Sequence, residues 1–256
     1  MNLGSDISDL LTNYFSWYLQ GIASTIILSI VGTFGGLFLG IFLAFGKRLD
    51  TKNNPWYKLL YKLPIKYLCL IFSVVIRGTP MMVQALLFKY ACLLTGLNWN
   101  KALPKVPVFN GWMIAGLIVI TLNTTAYMGE TIQSGLNGVD KGQIEGARSL
   151  GMTEIQTLFH VTLPQAIRNA IPTIGNEWIV NIKDSSVLNV ISVTELFWQA
   201  NAAASVKYQY LATYIIIALI YLTLTLFTTG ILKFAEKKMD GVKFSFNPFR
   251  HRRREV

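Results

Sequence analysis

Few side chains in this sequence could do chemistry, and the ones that could sit mostly inside apolar stretches. The densest set is Glu177, Asn181, Asp184 and Ser185, spaced i, i+4, i+7 and i+8, which places them on one helix face. A carboxylate there can accept hydrogen bonds from an ammonium group or from a basic side chain. A second polar stripe runs through Asn123, Tyr127, Glu130 and Ser134. Arg77 stands directly before Gly78-Thr79-Pro80, and Lys183 stands beside Asp184. No nucleophile–base pair, no paired catalytic carboxylates and no metal-ligand spacing occur on any one face. His160 and His251 lie apart from other ligands, and Cys69 and Cys92 read as small apolar residues. The pattern suits binding and gating of a small polar solute; an embedded enzyme is the least supported class, and no metal is expected.

These groups must be positioned by membrane helices. Of the 256 residues, 52% are hydrophobic and 14% charged, against about 25% charged in soluble domains. Residues 10–46, 106–129 and 208–232 contain no Asp, Glu, Lys or Arg. Each is longer than the roughly 20 residues that cross a bilayer. Asp6 and Asp9 stand where a cleavable signal would be basic, so the opening run reads as a span rather than a leader. Three spans follow, at about Trp17–Gly46, Trp112–Ser134 and Tyr208–Lys233. Two interrupted ones are added at residues 67–88 and 165–194. The first of these should bend or break at Pro80, which lacks an N–H and disfavours helical geometry at Thr79.

The expected fold is therefore an all-α integral membrane protein of five spans. Orientation follows from the loop cations. Seventeen Lys and Arg flank the spans on one side, among them Lys47, Arg48, Lys52, Lys58, Lys62 and Lys66, and only Lys101, Lys105 and Lys207 on the other. The N-terminus is expected outside and the C-terminus in the cytoplasm of a prokaryotic plasma membrane. The net charge of +10 belongs to this asymmetry and to lipid headgroups, not to nucleic acid. The expected division is an external segment over 1–16, a transmembrane unit over 17–235 and a basic tail over 236–256. Trp17, Trp56, Trp112 and Tyr208 read as interface anchors.

Depth gives the polar groups expected roles. If span four begins near Gln165, Glu177 lies about 18 Å in. Charges at such depth face a cavity or a partner. Glu177 reads either as part of a substrate path or as helix-packing glue. Lys183 and Asp184 read as an ion pair or gate near the outer end. Arg77 is expected at similar outer depth, bonding the carbonyls freed at Pro80, holding the bend, or latching onto Asp184. Glu130 reads as an inner gate or packing residue.

The cytoplasmic stretch at about 138–164 carries the most specific pattern. It reads Glu145-Gly146-Ala147-Arg148-Ser149-Leu150-Gly151, then Val161-Thr162-Leu163-Pro164. A short helix over about 141–150 should end at Gly151, which can supply a left-handed cap. Gly146 and Ala147 would let another surface approach closely, as a docking knob would. This stretch resembles the E-A-A loop of binding-protein-dependent ABC importer permeases. Arg77-Gly78-Thr79-Pro80, Ala126-Tyr127 with Glu130, Asn176-Glu177 with Lys183-Asp184-Ser185-Ser186, and Glu195-Leu196 narrow the resemblance to the polar amino acid permeases. Gly146 in place of Ala, Val161 in place of Ile and Ser185 in place of Thr are mild departures.

The resemblance implies a type I importer fold with two permease subunits side by side, as a homodimer or with a similar partner. It also implies two ATP-binding subunits, an external solute-binding protein and an amino-acid substrate. Glu145, Gly146, Ala147 and Gly151 would couple to the ATPase. No cofactor is expected on this chain: it has no G-x-x-x-x-G-K-[ST], so ATP and Mg belong to the partner. The competing reading is an autonomous ion-coupled carrier or channel using Glu177 and Glu130, which would have no need of a docking loop.

Overall fold

The computed structural model describes residues 3–49, 56–97 and 111–240. Lys52, Lys101, Lys105, His251 and the basic tail from residue 241 lie outside the described residues, as does the side chain of Trp56. The described residues are helical, with no strand among them. A short α1 (Leu3–Asn13) leads into the long α2 (Phe15–Lys47). Then come α3 (Trp56–Gly78), α4 (Met81–Leu94) and α5 (Gly111–Asn137). Two short helices follow, α6 (Lys141–Ser149) and α7 (Glu154–Thr157), and a π-turn at Leu158–Thr162 leads into α8 (Leu163–Asp184). A 3-10 turn (Ser185–Ile191), α9 (Leu196–Lys207) and α10 (Tyr210–Asp240) complete the order.

Four helices are long and apolar enough to cross a membrane: α2, α3 over Tyr57–Gly78, α5, and α10 over Tyr210–Lys238. The expected first, third and fifth spans are α2, α5 and α10. The expected second appears as two helices broken at Thr79-Pro80, with α3 alone of spanning length. The expected fourth is α8, whose 22 residues carry Arg168, Glu177, Lys183 and Asp184 and are too polar to stand among the four. Its charges need protein neighbours or water, which lipid does not supply.

The frame is the pairing of α2 with α5. Gly32, Gly36 and Gly40 recur every four residues on α2, and a Cβ on Gly36 would lie 2.6 Å from Thr124 Cγ2. On α5, a Cβ on Gly135 would lie 2.5 Å from the Ala166 carbonyl oxygen of α8. Lipid supplies no hydrophobic drive between helices, so close backbone approach through small residues is what holds them. Two apolar clusters form on this frame. One joins Leu28, Ala85, Val119, Ile120 and Leu188; the other joins Ala44, Ile132, Leu136, Ala166 and Ala170. On α5 they leave residues 121–131 between them, and that interval holds the polar groups.

A third cluster packs α1 and the start of α2 against α9 and α10 through Leu10, Tyr18, Leu196 and Ile216. Its pivot is Glu195, fully buried yet satisfied. It caps α9 by accepting from the Phe197 and Trp198 amides at 2.8 and 2.7 Å, and Tyr221 donates to it at 3.0 Å.

Candidate functional site

Helix α8 presents its polar residues to two environments. Glu177 and Asp184 are partly exposed, and among the described residues neither carboxylate has a hydrogen-bond or ion-pair partner. Asn181, by contrast, is 3% exposed and fully engaged. Its Nδ2 donates to Thr33 Oγ1 of α2 at 2.9 Å, and Thr124 Oγ1 of α5 donates to its Oδ1 at 3.1 Å. Ser185 is buried and donates to the Ile182 carbonyl at 2.9 Å. The single face expected from spacing is thus divided. At 100° per residue, Asn181 and Ser185 lie about 40° and 80° round from Glu177, while Asp184 lies about 20° the other way. The edge toward α2 and α5 is structural glue, and the other edge is open.

Ion pairing also differs from expectation. Arg77 does not meet Asp184. Its Nη1 lies 3.1 Å from Glu130 Oε1, and its guanidinium sits 5.8 Å from the Tyr127 ring centre. The same oxygen of Glu130 accepts from Lys47 Nζ and, at 3.2 Å, from Ser73 Oγ. Lys47 also donates to Ser73 at 3.3 Å. Helices α2, α3 and α5 therefore converge on one carboxylate. Lys47 counts as a loop cation by sequence, yet it is the last residue of α2 and its side chain is 6% exposed. Its neighbour Arg48 hid it within a basic run. Lys183 and Asp184, expected to pair, do not pair within 4 Å.

The break between α3 and α4 is satisfied by a residue that no sequence pattern marked. Pro80 has no N–H for the Ile76 carbonyl, its acceptor in an unbroken helix. Gln84 Nε2 takes that place at 2.7 Å and also reaches the Thr79 carbonyl and Oγ1, each at 2.9 Å. Thr79 Oγ1 covers the Val75 carbonyl at 2.9 Å. Arg77, expected to bond the freed carbonyls or hold the bend, is engaged elsewhere. Asn123 Nδ2 donates to Gln84 Oε1 at 3.0 Å, so Asn123 faces the break and not an open path.

Beside these groups a cavity of about 520 Å³ opens between α5 and α8, lined by Glu130, Thr131, Ser134, Asn169 and Thr173 among others. On α8 its lining ends at Thr173, one helical turn before Glu177.

The expected docking helix forms as α6. Asp140 caps it, accepting from the Gly142 amide. Gly151 closes it at φ +84°, with the Gly151 and Met152 amides donating to the Arg148 and Ala147 carbonyls at 2.9 and 3.2 Å. Thr153 and Gln156 then cap α7 reciprocally. Glu145 and Gly146 are exposed, and among the described residues nothing lies within 4 Å of where a Gly146 Cβ would stand. Ala147 is buried and faces its own chain, so it is no docking contact. Leu150 is 86% exposed, and Ile155 and Phe159 are exposed too, an apolar knob that water does not favour.

Residues 36–241 match the family of binding-protein-dependent transport system inner membrane components. This chain belongs to that family. A probable glutamine ABC transporter permease protein of Bacillus subtilis (GlnM) is 30% identical over 231 residues, covering 90% of this chain and 97% of that one. The arginine transport system permease protein ArtQ of the same organism is 31% identical, covering 87% and 92%. In three dimensions, a crystal structure of an amino acid ABC transporter with histidines matches with a TM-score of 0.76 and 35% identity, over 89% of this chain and 96% of that one. An inward-facing MetNI methionine ABC transporter shares the fold at a TM-score of 0.62 and 12% identity, over 86% and 96%. The protein is thus a multi-pass transmembrane permease component of an ABC transport system, and ATP hydrolysis falls to a separate subunit. Membership decides against the autonomous carrier.

Proposed function

We propose that this permease, paired with a second permease subunit, forms the path by which a polar amino acid is imported, and that Glu177 and Asp184 line it. The single observation that carries this reading is a partly exposed pair of carboxylates, two turns apart on one helical face, with no partner among the described residues. A charge inside a bilayer without a partner in its own chain calls for one from outside it. A substrate ammonium supplies that. The relatives named for glutamine and arginine transport agree with a polar amino acid.

In this reading the chain crosses five times: α2, the broken α3–α4, α5, α8 with its 3-10 turn, and α10. The cation asymmetry puts the N-terminus outside and α6 in the cytoplasm. There α6 docks one of two ATP-binding subunits, which hold ATP and Mg. An external solute-binding protein delivers the amino acid, and Glu130 with Arg77 stands at the inner side of the path.

Glu177→Gln keeps the shape and removes the charge. Loss of a charged hydrogen bond to the ammonium should cost about 1.5–3 kcal/mol. Since about 1.4 kcal/mol is tenfold, the half-saturation concentration for uptake should rise tenfold or more. Uptake by reconstituted complex, measured against substrate concentration, reads this. An unchanged half-saturation concentration would return Glu177 to helix packing.

A further inference from the structure

We propose that Gln84 is the positioning residue of the α3–α4 break: it replaces the hydrogen bond that Pro80 cannot make and ties the break to a polar layer that crosses the bundle. The first part is direct geometry. A side-chain amide from the first turn of α4 reaches back over Pro80 to the Ile76 carbonyl at 2.7 Å and to Thr79 at 2.9 Å. Thr79 and Pro80 are exposed, so without Gln84 the helix break would have no protein donor holding its two halves in register.

The second part is what Gln84 is attached to. Its oxygen accepts from Asn123 of α5. The next residue, Thr124, donates to Asn181 of α8, and Asn181 donates to Thr33 of α2. Five bonded side chains and one helix backbone thus link α2, α8, α5 and α4 to the end of α3 at one level. Apolar clusters lie on both sides of that level. At either end of the layer sit the groups of the proposed path. Asn181 lies between Glu177 and Asp184 on α8, and the break lies three residues past Arg77, which bonds Glu130. A shift of α8 against α5 is therefore passed to the break, and so to Arg77, through Asn123 and Gln84. Gln84 acts through Arg77 and touches no substrate in this scheme. The scheme rests on the transport reading for its uptake readout, and its hydrogen-bond half does not.

The test pairs Gln84→Leu with Pro80→Ala in the reconstituted complex, with wild-type uptake as the control on the transport reading itself. Gln84→Leu leaves the Ile76 carbonyl without a donor, so the melting temperature should fall by several degrees and uptake should drop at least tenfold. Adding Pro80→Ala supplies the missing N–H to that carbonyl. The double variant should regain the part of the melting temperature that the Ile76 carbonyl lost, with Asn123 still lacking its acceptor, yet stay deficient in uptake, because the break is now closed as helix. A residue that only stabilises would recover both. If Gln84→Leu does not fold, the comparison of the double variant with Pro80→Ala alone still decides. Full uptake by Gln84→Leu, uptake restored in the double variant, or no recovery of melting temperature in it would each overturn the proposal.

Discussion

Glu130→Leu should destabilise the folded permease by about 3–5 kcal/mol, the usual cost of stripping a buried charge of its partner. The charge in question is that of Lys47, whose side chain is 6% exposed and whose other contact is the Ser73 hydroxyl. Arg77 adds little to this cost, because it is half exposed and keeps the Tyr127 ring. The companion variant separates the pair from the loss of one member. Lys47→Met with Glu130→Leu removes both charges and replaces them with apolar groups of similar length, so most of the lost stability should return. Thermal unfolding in detergent checks both. A single variant as stable as wild type, or a double variant weaker than the single, would mean that the carboxylate does not hold α2, α3 and α5 together.

Gly146→Leu should abolish ATP-dependent uptake while leaving the chain as stable as before, or more so. Two observations pull in the same direction. Among the described residues nothing lies within 4 Å of the added Cβ, so no clash with them follows. Glycine inside a helix costs roughly 0.5–1 kcal/mol relative to a residue with a side chain, which the substitution recovers. The leucine would stand on the exposed face beside Glu145 and the Leu150 knob, where a docked ATPase would meet it. Copurification of the ATPase with the variant is the measurement. An ATPase retained at wild-type yield, with wild-type uptake, would place docking elsewhere.

What the sequence made legible was what repeats or caps. Charge-free runs mark α2, α5 and α10 because the bilayer demands length. The glycine at 151 marks the end of α6 because few other residues take φ +84°. The break at Pro80 follows from one missing proton. What stayed hidden depends on pairings between distant segments. Gln84 is a single amide in an apolar helix, and nothing local says that it turns back across Pro80. Lys47 is one cation among neighbours, and only the packing of α2 on α5 brings it to Glu130. Arg77 fell on the wrong partner because its depth was counted from residue 67. Ser73 of α3 already meets Lys47 at the end of α2 and Glu130 near the end of α5, so Arg77, one turn on, reaches Glu130 and not Asp184 of α8. The stripe on α8 was visible, but spacing alone does not tell which edge of a face is covered. That decision belonged to Thr33 and Thr124, on helices far away in sequence.

This chain should conduct an amino acid only when a separate ATPase drives it. Vesicles that hold the permease with and without its ATP-binding subunits, supplied with the solute-binding protein and labelled amino acid, test that directly. Uptake should appear with the ATPase and hydrolysable ATP, and vanish when either is withheld, even across an imposed proton or sodium gradient. Uptake that persists with the permease alone would contradict the claim and make the chain a carrier in its own right.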